Sequence, residues 1–425
     1  MMQSMKWASA LSTRPSLEQA VHDVIEQATQ QLQATADLAI VFISSAFASE
    51  YSRLMPLLQE HLNVPALIGC SGGGVIGVNP SGQIQEVEGD AALNLTLAHL
   101  PGVKVKAFHL SVEDLPDLDS PPDTWINLIG VPPQEQPQFL LLASPMASGV
   151  NELLQGLDFA YPGAVKVGGL ASVTAFAGAS GLFCNYRRHQ EGIVGVALSG
   201  DIVLETIVAQ GCRPIGQLHR IVEAERNIVL KVEAQMDDVE PLLLGGSRAG
   251  QPRAPLEVLQ DLLQTLSEDD RELAQHSLYI GVAQSAFKQN PEQGDFLIRN
   301  LLGVDPRTGA IAVGDRVRPG QRIQFHLRDA KTSGDDLQLL LERYQMQTQR
   351  TQQPSPMGAL MFSCVGRGEG LYNQPNFDSQ LFSRYMQHIP LSGFFCNGEI
   401  GPVGGTTFLH GYTSVFGICR PSSRV

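Results

Sequence analysis

The residues best suited to chemistry crowd the C-terminal third of the chain. SGFFCNGEIGPVGG (Ser392 to Gly405) sets Cys396, Asn397 and Glu399 among five glycines, CVGRGEG places Arg367 and Gly368 beside Cys364, and His410 and Tyr412 follow in HGY. Upstream, Arg328 and Asp329 close FHLRDA, and Arg213 stands in QGCRPIG. An arginine fork recognises a carboxylate bidentately, and a glycine-rich loop aims several N–H groups at one point. Together these groups would hold a small polar or zwitterionic molecule. The competing chemistry is nucleophilic, with Cys364 or Cys396 as a thiolate and His410 as its base, which requires a depressed thiol pKa. The plainer alternatives are inert buried thiols, a structural Arg328–Asp329 ion pair at a strand end, and Glu399 as an exposed turn residue.

Two formal motifs lie nearer the N-terminus. Gly72 to Gly77 satisfies G-x-G-x-x-G, and Gly69 to Gly73, around Ser71, satisfies G-x-S-x-G. Both fingerprints need a helix to start at the loop, because its N-terminal N–H groups hold the phosphate or present the serine. VNPSGQIQEVEGD follows instead. It reads as turn and strand, so the glycines read as a tight turn, with Ser71 kept as a candidate ligand contact beside Arg213.

Composition narrows the partners. The chain has 425 residues, 43% hydrophobic and 17% charged, with a formal net charge of -14. A charge of that sign repels phosphate backbones and anionic lipid, so neither nucleic acid nor a membrane is an expected partner. No run of about 18 apolar residues offers a membrane span, and the N-terminus lacks a secretory h-region, so a cytoplasmic protein is expected. Six scattered cysteines read as free thiols, and no C-x-x-C or H-E-x-x-H pattern calls for a metal or another cofactor.

The elements that must position these residues recur. Leu38 to Ile43 is an apolar strand, Ser49 to Leu62 has helical spacing, and Ala66 to Ile68 leads into Gly69. The pattern returns at Phe139 to Ala143, Gly149 to Ala160, and Val165 to Gly169. It returns again at Ala359 to Phe362, Phe377 to His388, and Leu391 to Gly393. Gly69, Gly74, Ile76 and Gly77 fall in register with Gly393, Gly398, Ile400 and Gly401, as duplication would produce. Each unit is followed by candidate antiparallel ribbon: Ala91 to Leu97 with Val103 to Leu110, Gly192 to Leu198 with Ile202 to Gln210, and Thr407 to Arg420. Between the second and third units, Glu233 to Pro255 reads as a boundary or exposed loop. Helix is expected over Leu256 to Leu266, strand over Leu278 to Ala283, and a helix capped by Ser333 or Asp335 over Asp336 to Arg350. The expected fold is α/β (α+β), with mixed sheets flanked by helices and built from repeated strand-helix-strand units. A four-layer α/β/β/α sandwich is the alternative.

ALMFSCVGRG, SGFFCNGEIGPVGG and FLHGY, with FHLRDA and QGCRPIG, resemble the FIST family, the F-box and intracellular signal transduction sensory domains. The resemblance implies an N-terminal domain over 36–230 and a C-terminal domain over 231–425. It further implies an intracellular sensor that binds a small ligand, an amino acid or related small carboxylate, and is not an enzyme. A kinase or response regulator would be its signalling partner.

Overall fold

The computed structural model describes residues 4–172, 180–235, 251–284, 291, 293–351 and 353–422. Two compact units divide the chain: Met1–Ala209 with Leu337–Val425, and Gln210–Asp336.

The larger unit is a threefold repetition. The first repeat runs β1 (Lys6–Ser12), α1 (Leu17–Leu32), β2 (Leu38–Ser44), α2 (Tyr51–His61), β3 (Ala66–Gly72), a ribbon β4 (Gly74–Val78) and β5 (Ile84–Glu88), and β6 (Leu93–His99). The second runs β7 (Val103–Leu110), α3 (Pro122–Ile129), β8 (Gln138–Ala143), α4 (Val150–Ala160), β9 (Lys166–Leu170), a ribbon β10 (Leu182–Cys184) and β11 (Arg187–His189), and β12 (Ile193–Gly200). The third opens with β13 (Ile202–Ala209) and is then interrupted by the second unit.

That second unit is a closed barrel of β14 (Arg213–Glu225), β15 (Ile228–Ala234), β16 (Leu278–Ala283), β17 (Phe296–Val304), β18 (Ile311–Val313) and β19 (Arg322–Leu327). Helices α5 (Pro255–Thr265) and α6 (Glu268–Ala274) accompany it. Its own core gathers Ile221, Val229, Ile280, Ile311 and Phe325. The stretch expected as a boundary, Glu233 to Pro255, lies largely outside the described residues.

The third repeat resumes along α7 (Ala330–Thr351) and continues through β20 (Gly358–Cys364), α8 (Gly368–Tyr372), α9 (Phe377–Tyr385) and β21 (Leu391–Cys396). The ribbon β22 (Glu399–Val403) and β23 (Thr406–His410) and then β24 (Ser414–Pro421) complete it. Helix α7 starts six residues earlier than its apolar spacing suggests, because Asp329 Oδ1 accepts the Thr332 N–H at 2.6 Å and serves as its cap.

The strand orders show how the repeats combine. The three sheets read β1-β6-β2-β3-β10-β11, β7-β12-β8-β9-β22-β23 and β13-β24-β20-β21-β4-β5. Each repeat supplies four strands of one sheet and lends its ribbon to another. The first ribbon joins the third sheet, the third joins the second, and the second joins the first. The strands flanking Pro101–Gly102, and those flanking Ser199–Gly200–Asp201, therefore lie in different sheets and do not pair as the local pattern suggests.

The inner faces of the three sheets share one core, in which Phe42 of the first meets Phe394 of the third at 5.0 Å and Leu140, Val167 and Val196 come from the second. Helices cover the outer faces, α1 and α2 on the first sheet, α3 and α4 on the second, α7 and α9 on the third. Three sheets around one core replace the two stacked sheets of the four-layer alternative. The central strands β2, β8 and β20 are buried on both faces, which accounts for their unbroken apolar runs.

The repeat glycines have a packing cause. In parallel register, Gly69 faces Val41, Gly168 faces Leu141 and Gly393 faces Met361. A Cβ at any of the three would overlap the carbonyl oxygen of that facing residue. The backbones approach more closely there than an alanine permits.

Candidate functional site

Where β3, β9 and β21 end, the chain crosses from one sheet to another, and backbone groups from all three repeats bond together. The Ser172 N–H donates to the Ser71 carbonyl at 3.2 Å, and the Gly73 N–H donates to Ser172 Oγ at 2.6 Å. Ser172 Oγ in turn donates to the Phe395 carbonyl. The Asn397 N–H reaches the Leu170 carbonyl at 3.1 Å, and the Leu170 N–H reaches that of Gly398 at 2.8 Å. Glycines and serines suit this crossing because their small side chains leave the backbone groups room to meet.

Seven of the candidate residues gather here. Ser71 Oγ accepts the Gly181 N–H at 3.0 Å. Glu399 is fully buried beside its register partner His410, and its Oε2 accepts the Thr413 N–H at 3.0 Å. His410 Nε2 lies 3.0 Å from the Gly401 carbonyl, and the Tyr412 ring lies over Gly366. The Cys364 N–H donates to the Thr413 carbonyl at 3.0 Å, and the Val365 N–H donates to that of Cys396 at 2.9 Å. With the Asn397 backbone, these complete the group. Burial pushes the Cys396 thiol well above its ordinary pKa, and the nearby Glu399 carboxylate and the thiols of Cys70 and Cys364 push it further. That environment opposes thiolate formation.

Arg367 starts from the same place, its N–H donating to the Cys364 carbonyl at 2.8 Å, but its side chain turns away into the third repeat. There Nε and Nη2 donate to the two oxygens of Asp378 at 2.8 and 3.1 Å, and the Tyr372 hydroxyl donates to Asp378 at 2.8 Å. Both members of the pair are buried. Gly368, at φ +60, lies against the Glu88 carboxylate, which accepts the Glu369 N–H at 2.9 Å. Beside them Glu86 accepts the Ser379 N–H at 2.7 Å; burial, and then the Asp378 charge, raise its pKa to about 7. Glu86, Glu88 and Asp378 escape a sequence reading because nothing local ties β5 to a helix almost 300 residues later. The one sequence signal is Asp378 itself, a carboxylate at the start of an otherwise apolar helix face.

Arg213, Arg328 and Asp329 lie in the barrel unit. The Arg213 guanidinium pairs with Asp270 of α6 and stands 3.8 Å from Asp329. The buried Arg328 donates its N–H to the Ser277 carbonyl at 3.3 Å.

A cleft of about 980 Å³ opens elsewhere in the three-repeat unit, between the β4–β5 ribbon and the stretch from Asn376 to Pro390. Gln83 and Gln85 line the ribbon side, Arg384 and His388 the helix side, and Trp7 of β1 also borders it. None of these was legible as a site, since each is an isolated polar or aromatic residue in the sequence. At about 980 Å³ the cleft has the dimensions a ligand needs.

Residues 37–235 match the FIST N domain and residues 255–402 match the FIST C domain. The chain belongs to the FIST family. FIST domains are associated with sensory signal transduction and small-ligand binding. The two FIST matches divide the third repeat, since β13 falls in the FIST N match while β20, β21 and most of β22 fall in the FIST C match. The chain is similar to the uncharacterized protein MT0656 of Mycobacterium tuberculosis, 32% identical over 96% of this chain and 98% of that protein. It is similar to the uncharacterized protein MT0897 of the same organism, at 31% over 96% and 97%. It also resembles an F-box/LRR-repeat protein of Arabidopsis thaliana, 22% identical over 76% of this chain and 66% of that protein. Among the described residues no helix of this FIST protein is long and apolar enough to cross a membrane.

Proposed function

We propose that this protein is a cytoplasmic sensor that binds a small ligand, an amino acid or related small carboxylate, and passes the occupied state to a signalling protein such as a kinase or response regulator. The observation that supports this most is the placing of the cleft walls: β4 and β5 belong to the FIST N match, and α9 to the FIST C match. A ligand touching both walls favours the arrangement in which they stand together, and a partner that reads that arrangement reads the ligand. Binding without turnover is the reading that the high pKa of the Cys396 thiol supports over a cysteine hydrolase or transferase. Thermal-shift screening against amino acids and small carboxylates tests it. A ligand at about 100 times its Kd adds roughly 2.7 kcal/mol of stability. A panel without a stabiliser counts against the proposal.

A further inference from the structure

We propose that the cleft between the β4–β5 ribbon and α9 takes a small organic anion, a carboxylate without an ammonium group, with Arg384 and His388 facing its charge and amide side chains holding its hydroxyl or carbonyl groups. The inference rests on the reading of the protein as a small-ligand sensor and specifies the site and chemistry.

Charge carries the argument. Asp and Glu make up 43 of the 425 residues, yet none of the sixteen residues lining the cleft is acidic. Carboxylates are near but engaged elsewhere. On β5, Gln85 lines the cleft while Glu86, the next residue, is buried against α9 with the Ser379 N–H on its carboxylate. Glu88 accepts the Glu369 N–H, and Asp378 is committed to Arg367. The Arg384 guanidinium has no carboxylate partner among the described residues, although the chain as a whole is strongly acidic. The lining therefore offers the Arg384 cation and amide donors, and an ammonium group would meet only uncharged acceptors there. Such a lining discriminates by leaving the wrong ligand's charge unpaired. Trp7 lines the cleft and is 9% exposed, so a ligand seated there would change the surroundings of its ring.

Trp7 also provides the readout, because the one other tryptophan, Trp125, is wholly buried in the second repeat. The full chain is titrated with succinate, malate and citrate, and in parallel with alanine, serine and glycine betaine, following tryptophan emission and thermal stability. The proposal expects at least one of the three acids to stabilise the protein and change the emission, with the zwitterions weaker. Arg384→Gln, at an exposed position, should cost roughly tenfold or more in affinity, the loss expected for a hydrogen bond to a charged group. Arg384→Lys should recover part of it. Stabilisation by a zwitterion with unchanged emission, or by an acid whose affinity ignores Arg384→Gln, overturns this assignment while leaving the sensor reading standing. The absence of any binder in either series overturns both.

Discussion

Replacing Arg367 by alanine should cost this protein stability before it costs any ligand. The guanidinium and the Asp378 carboxylate are both buried, with side-chain exposures of 0% and 1%, and two charge-assisted bonds join them. Removing one partner of such a pair typically costs about 3–5 kcal/mol, because the other charge stays buried without compensation. The upper part of that range fits here, since Asp378 would be left beside Glu86. Unfolding in guanidinium, followed by tryptophan emission, reports this unit, as Trp7 and Trp125 both belong to it. With a denaturant slope near 6 kcal/mol/M, the upper end for small proteins, a loss of 4 kcal/mol moves the midpoint by about 0.7 M. Arg367→Leu combined with Asp378→Leu should cost less than either single change, since no charge is then stranded. The penalty of Arg367→Ala should also be smaller at pH 5, where Glu86 is protonated, than at pH 8, where its charge adds to that of the stranded Asp378. A loss below about 1 kcal/mol, or a double variant worse than both singles, would refute the assignment of Arg367 to a structural pair and return it to the ligand-binding candidates.

Glu86 should make stability fall with rising pH. Its folded pKa of about 7 lies above its ordinary 4.5, so its contribution is fully present below about 4.5 and is lost as pH climbs through 7. Glu86→Gln should flatten stability curves between pH 5 and 8 and gain about 2–3 kcal/mol at pH 8, with unchanged pH dependence as the failing result. Alanine at Gly69, Gly168 or Gly393 should destabilise by about 3 kcal/mol or more each, since a Cβ meets backbone at all three; soluble, near-native variants would show that the close approach is unnecessary. Iodoacetamide at neutral pH should label Cys396 slowly until denaturant is added. A fast, substrate-protected reaction there would revive the nucleophilic alternative.

Much of the fold is legible in local pattern. The apolar runs at Leu38 and Phe139 become central strands, Gly149 to Ala160 becomes α4, and the glycine register linking Gly69 with Gly393 reflects equivalent places in two sheets. The G-x-G-x-x-G match at Gly72 fails as a nucleotide fingerprint for the reason its sequel gives, because β4 follows and no helix does. What local pattern hides is partnership. A ribbon's alternation shows that it pairs, and says nothing about whether its neighbour is the strand just before it or one 300 residues away, as for Val75 and Phe394. The same limit hides the candidate site. Arg367 reads as a free fork because Asp378 lies a helix away, and Glu86 does not stand out in its strand because the face it turns to α9 is set by that distant pairing.

The circular lending of ribbons has a consequence for the gene. Excising residues 74–88 would bare the flank of β21, some 300 positions downstream, and leave the first sheet intact. Damage from an internal deletion would thus surface in a region that still has its full coding sequence. No single repeat could be cloned away from the other two without an open edge.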